Sequence, residues 1–151
     1  METQHEDNMS FDLKVHLGDL QISNTGDLQK VENTEKLIQD ILKMVTTPLG
    51  GNPFFPWYGS PISNTLIGSP LSHDFLGTLA SAQLRQSLET LQKLQRTQAA
   101  AGQNVTAAEM LAAIQEVKIE RNQTDPRYFR IVIKALTKAL TSATTSFDVG
   151  I

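Results

Sequence analysis

The stretch TTPLGGNPFFPWYGS, residues 46–60, restricts what this chain can fold into more than any other. Pro48, Gly50, Gly51, Pro53, Pro56, Gly59 and Pro61 exclude a helix or a central strand, because proline lacks a backbone donor and glycine gives up backbone order. The stretch is a loop. Yet it carries four of the chain's nine aromatic residues, Phe54, Phe55, Trp57 and Tyr58, within five positions. Large apolar side chains on a loop either fold back over the chain's own core or meet a partner. We expect Phe54 or Phe55, together with Trp57 or Tyr58, to pack on the preceding helix and the remaining aromatic edge to face a partner.

The segments on either side set the scaffold for that loop. Residues 1–10 read as a disordered tail. In FDLKVHL, residues 11–17, Phe11, Leu13, Val15 and Leu17 alternate with polar residues, and turn signals follow at Gly18-Asp19 and at Asn24 to Asp27. This predicts a hairpin or a pair of short strands with His16 exposed. From Asn33, a candidate N-cap, Leu37, Ile38, Ile41, Leu42 and Val45 recur at helical spacing until Thr47-Pro48. Ser72 opens a longer helix with a stripe of Leu76, Ala80, Leu84, Leu88, Leu91 and Leu94, and Gly102 is its stop signal. Thr106 and Glu109 form a capping box, Val105 and Met110 have the spacing of a hydrophobic staple, and Leu111, Ile114 and Val117 follow. This predicts a third helix, ending before Asp125-Pro126. Beyond it, YFRIVIKALTKAL fits a helix stripe and a strand alternation equally, while TTSFDVGI is strand-like.

Composition narrows the chemistry. At 151 residues the chain fits one domain, and it has no cysteine for a disulfide, a thiolate metal site or a nucleophile. His5, His16 and His73 have no ligand spacing, and no phosphate loop, dinucleotide fingerprint or serine elbow occurs. Candidate acids for glycoside hydrolysis, such as Asp74 and Glu89, fall at the start and on the polar face of one helix, as ordinary surface acids do. No catalytic residue, metal ligand or cofactor is expected. No segment has the length of a membrane span, and the opening METQHEDNMS is polar, so the chain reads as a soluble cytoplasmic product. Acids dominate residues 1–40, whereas Lys118, Arg121, Arg127, Arg130, Lys134 and Lys138 cluster late. That asymmetry fits differently solvated faces, or complementarity between copies or with an acidic partner. A sequence pI of about 5.5 argues against nucleic acid.

Three features together resemble the baseplate wedge, or sheath-initiator, proteins of contractile phage tails. In NTEKLIQDILKMVTTPLGGNPFFPWYGS, an amphipathic helix runs into Thr-x-x-Gly and a proline/aromatic loop ending in Tyr-Gly. The matching positions are Thr46 or Thr47, Gly50 or Gly51, Pro53, Phe54, Tyr58 and Gly59. In DPRYFRIVI, Asp125, Pro126 and Arg127 occupy the place of the family's Glu-Pro-Arg motif. The order of hairpin, helix, loop, helical region, acid-Pro-Arg and strands is the third. The aspartate and the long middle region depart from the family pattern.

The resemblance implies an α+β fold over 11–151: a short N-terminal β-hairpin, about three helices and a C-terminal antiparallel strand pair. It divides into a loop over 47–71, a helical region over 72–117 and strands over 127–151. It also implies a structural, non-catalytic role in a virion tail baseplate assembled in the host cytoplasm, with six copies per baseplate. Its expected partners are wedge core-bundle subunits, tail tube or hub subunits, and the sheath subunit whose first ring it templates. Nucleic acid and membrane are not among them. The implied partner-binding residues are Asp125, Pro126, Arg127, Phe54, Phe55, Trp57, Tyr58, Phe147 and Val149, and the last strands are expected to stay incomplete until sheath binds. Competing readings are a peptidoglycan-cleaving, lysozyme-like enzyme and a scaffold of a type VI secretion or contractile bacteriocin baseplate.

Overall fold

The computed structural model describes residues 10–67, 69 and 72–150, so the tail expected at 1–10 lies almost wholly outside the described residues. The N-terminal alternation gives two nested antiparallel pairs. β1 (Asp12–Leu13) pairs with β4 (Lys30–Val31), and inside them β2 (Val15–His16) pairs with β3 (Asp19–Leu20) across a Leu17-Gly18 turn. The alternating residues do not share a buried face. Phe11, Val15 and Leu17 are exposed and only Leu13 is half-covered, because the nested turns leave the segment without a sheet to lie on. His16 is exposed as expected.

α1 (Asn33–Thr46) buries Leu37, Ile41, Met44 and Val45. Its cap differs from the sequence expectation. Glu32 occupies the N-cap without a side-chain bond, and Asn33 sits at φ 52° with its Oδ1 accepting from Thr106 Oγ1 at 2.9 Å. The loop then holds one further short helix, α2 (Ile62–Leu66), before α3 (His73–Ala100). On α3, Leu76, Ala80, Leu84, Leu88 and Leu91 are buried, as their stripe requires.

The C-terminal half is a three-stranded antiparallel sheet in the order β5 (Leu111–Arg121), β6 (Tyr128–Thr137), β7 (Ser142–Gly150). The expected strand pair is β6–β7. The third strand comes from the segment expected as a helix, and the helical region expected over 72–117 therefore ends at Ala100.

The physical reason is a pair of β-bulges. β5 pairs Leu111 with Thr137, Ile114 with Ala135 and Val117 with Ile133, with register shifts around Ala112 and Gln115. Each bulge inserts one residue, so a spacing of three on β5 matches a spacing of two on β6. Leu111, Ile114 and Val117 thus reach one sheet face with a spacing that mimics a helical stripe. Thr106 to Met110 is a turn leading into the strand, closed by Glu109 N–H to Thr106 O at 3.2 Å.

The helices cover one face of the sheet, with α3 along β5 and α1 along β7. Phe129, Ile131, Ile133, Ala135 and Ala143 meet the helix stripes in a single core. The opposite face is charged and internally paired: Glu116 with Lys134 at 2.9 Å, Lys118 with Glu120 at 2.5 Å and Arg130 with Asp148 at 3.1 Å. Three of the six late basic residues, Lys118, Arg130 and Lys134, are thus paired within their own sheet.

Two buried glutamines tie extended chain to helix in the same way. On α1, Gln39 donates to Leu13 O (2.8 Å) and accepts from Val15 N–H (2.9 Å). On α3, Gln95 donates to Glu109 O (2.8 Å) and accepts from Leu111 N–H (2.8 Å). Each amide thus takes the C=O of residue i and the N–H of residue i+2, as a neighbouring strand would. Gln92 adds donations to Leu111 O and Ala112 O.

Candidate partner-binding surfaces

The proline/aromatic loop is held shut at its neck by backbone. Ser60 N–H donates to Thr47 O (2.9 Å) and Leu49 N–H to Ser60 O (3.1 Å), while the buried Ser60 hydroxyl donates to Val45 O (2.8 Å). Gly59 has φ +117°, and a Cβ there would lie 2.5 Å from Thr47 O. Only glycine fits this crossing, which gives the Thr…Tyr-Gly spacing its physical sense. Above the neck, Gly50 N–H donates to Pro56 O, Tyr58 N–H to Phe55 O, and the Asn52 carboxamide accepts from Phe54 and Phe55 N–H. Backbone and Asn52 hydrogen bonds order the loop above its neck.

Those side chains divide unevenly. Phe54 is 84% exposed, Phe55 52% and Trp57 48%. Phe55 and Trp57 meet edge to face at 5.8 Å, and Trp57 and Tyr58 at 6.2 Å. Trp57 leans towards Leu49 and the Gln83, Gln86 and Thr90 side of α3. Tyr58 alone packs on the core, beside Asp40 and Lys43 of α1. Burial first, then the Asp40 and Asp12 carboxylates, raises its hydroxyl above the ordinary value of 10.0. The expectation that Phe54 or Phe55 also packs on α1 is corrected: both are exposed beside the Asn52 turn and stand outside the core cluster.

The β5–β6 connection carries the acid-Pro-Arg positions. Asn122 Oδ1 accepts from Thr124 and Asp125 N–H, and Asn122 N–H donates to Tyr128 O at 2.8 Å. The Arg127 guanidinium forks onto Asp125, with Nε to Oδ1 at 3.0 Å and Nη2 to Oδ2 at 2.8 Å, and its backbone N–H also donates to Oδ1. These bonds hold the Asp125 carboxyl below its ordinary value of 3.8 and raise Arg127. Arg127 is 75% exposed at its side chain, so it is aimed but uncovered.

On β7, Phe147 and Val149 face inward and pack against the core. Their side chains are not presented outward, and what β7 exposes is its edge. It pairs with β6 from Ser142 to Gly150, and no strand lies on its other side among the described residues. The expectation of incomplete strands is corrected to this extent: β7 is formed, and open on one side. The notable residues that sequence reasoning passed over are Gln39, Gln95 and Ser60. Gln95 follows Leu84, Leu88 and Leu91 at stripe spacing, a polar residue on an apolar face, and that is its signal.

No protein-family model matches this chain, and no curated protein matches it either. Among solved structures, it is similar to a crystal structure from Geobacter sulfurreducens described as a "putative tail lysozyme", with a TM-score of 0.59 and 11% identity. The match covers 88% of this chain and 96% of that one, so the fold is shared over nearly its whole length. At that identity it shows the fold alone.

Proposed function

We propose that this chain is a structural subunit of a contractile-tail baseplate that binds wedge and tube subunits and templates the first sheath ring. The observation that carries the reading is the pre-organised loop with Phe54, Phe55 and Trp57 uncovered. A loop locked by backbone bonds pays little further entropy on docking, and clustered aromatics supply contact area at small rotamer cost. Arg127, held in a bidentate fork, offers a second contact to an acidic or backbone-carbonyl partner. The open edge of β7 offers a third, by strand addition, with backbone hydrogen bonds giving affinity. The fold shared with a protein described as a "putative tail lysozyme" agrees with the tail part of this reading.

The rival is a peptidoglycan-cleaving enzyme, which needs a carboxylic acid kept protonated near a second carboxylate across a cleft. The acids at the surface depressions are arranged otherwise: Asp74 lines its depression with Arg85 and no second carboxylate, and the others lie against bases. Asp12 engages Lys43, Asp40 engages Lys36 and Lys43, Glu120 engages Lys118 and Asp148 engages Arg130. Burial raises Asp12, but Lys43, Gln39 and the Leu13 N–H together outweigh it and hold the carboxyl below its ordinary value. Purified protein should leave a peptidoglycan suspension turbid. In tail assembly, a Phe54→Ser/Phe55→Ser/Trp57→Ser variant should fold normally and fail to enter baseplates; normal incorporation would refute the reading. A type VI secretion or bacteriocin baseplate would use the same surfaces, and neighbouring genes separate these systems.

A further inference from the structure

The capping box at Thr106–Glu109 is a helix signal that the fold does not use, and it leaves a trace. Glu109 is fully buried and neither carboxylate oxygen has a hydrogen-bond partner among the described residues. Its nearest cation, Lys36 Nζ, stands 3.8 Å from Oε1 and is itself bonded to Asp40 at 3.3 Å. In a helix beginning at Thr106, the same carboxylate would reach back to the Thr106 N–H and the Thr106 hydroxyl would take the Glu109 N–H. The following residues, MLAAIQEV, place Leu111, Ile114 and Val117 on one helical face, and Ala112 and Ala113 favour a helix. The strand needs two bulges to use the same spacing. The capping box, the staple and the three-residue apolar spacing favour one state and the tertiary contacts hold the other.

Those contacts are the ladder with β6, the bonds of Lys138 N–H to Met110 O at 3.0 Å and of Ala139 N–H to Ala107 O at 3.1 Å, and two glutamines of α3. Gln95 takes Glu109 O and Leu111 N–H, and Gln92 takes Leu111 O and Ala112 O. The carbonyls of Leu111 and Ala112 and the N–H of Leu111 are groups that a helix would use internally. We propose that residues 106–117 form a two-state segment, turn and strand while Gln92 and Gln95 of α3 hold it beside β6 and helix when they release it. β5 is an edge strand, so its first half can leave without breaking the β6–β7 pairing.

Backbone NMR of the full chain carrying Gln95→Leu tests this. The Cα shifts of residues 111–113 should move from the strand side to the helix side of random-coil values. Those of 128–137 and 142–150 should stay strand-like, and adding Thr106→Val should abolish the helical shifts. Retained strand shifts at 111–113, coil values there, or loss of the β6–β7 strand shifts would each overturn the proposal. Glu109→Leu on the native background gives an independent reading. By removing the unused capping carboxylate from the core, it should keep the strand and raise Tm by about 3 °C. A lowered Tm would mean that the carboxylate supports the strand, against the proposal.

Discussion

Replacing Gly59 by alanine should open the neck of the aromatic loop, and its cost can be built from the local geometry. The residue sits at φ +117°, where an L side chain is strained by about 1–3 kcal/mol. The new Cβ would lie 2.5 Å from Thr47 O and 3.1 Å from the carbonyl carbon and oxygen of Pro48, all backbone atoms that cannot swing aside. Relief requires separating the two crossing strands of chain, which breaks the Ser60 N–H to Thr47 O bond, worth about 1 kcal/mol. The sum is about 3 kcal/mol, or roughly 9 °C in Tm for a chain of this size. Gly50→Ala is the control, since Gly50 also has positive φ but nothing within 4 Å of its Cβ, so only strain of about 1 kcal/mol applies. Trp57 is the sole tryptophan, so its fluorescence reports the loop directly while circular dichroism reports the rest. Urea unfolding of both variants by both probes gives the comparison. Equal destabilisation of Gly59→Ala and Gly50→Ala would refute the claim that backbone crossing, and not φ alone, selects glycine at Gly59.

Leu88→Ala empties a fully buried position between α3 and the sheet and should cost about 3 kcal/mol in denaturant unfolding. Arg127→Ala removes an exposed fork and should leave the melting curve unchanged while lowering incorporation into assembling baseplates. The folded Asp12 carboxyl lies below its unfolded value, so its stabilisation is complete above about pH 5 and is lost as pH falls through the folded value. Asp12→Asn should therefore flatten the acid limb of a stability–pH curve, and an unchanged limb would show that the Lys43 pairing contributes nothing.

Helix stripes were legible because burial repeats along them: Leu37 with Ile41, and Leu76 through Leu91, lie where their spacing put them. The loop was legible from its prolines and glycines, but the direction of its aromatics was not. That depends on the Asn52 turn and on the crossing at Gly59, contacts between residues that no periodicity links. The misread segment is more instructive. Bulges let β5 carry apolar residues three apart, and the bonds that hold it come from Gln92 and Gln95 on another element. A local pattern cannot report a partner that arrives from α3. The C-terminal ambiguity resolved as strand for a related reason: Ile131 and Ile133 find β5 and β7 on either side, and pairing outweighs intrinsic preference. Of the candidate contacts, Asp125–Arg127 was visible as a motif, whereas the inward turn of Phe147 and Val149 followed from a register set by β6.

Electron microscopy of tails assembled with every other component but without this chain tests the central claim most directly. Tubes and wedge assemblies should form without an ordered first sheath ring, and supplying the native protein should restore contractile tails. Sheathed, contractile tails in normal number from the depleted assembly would contradict it.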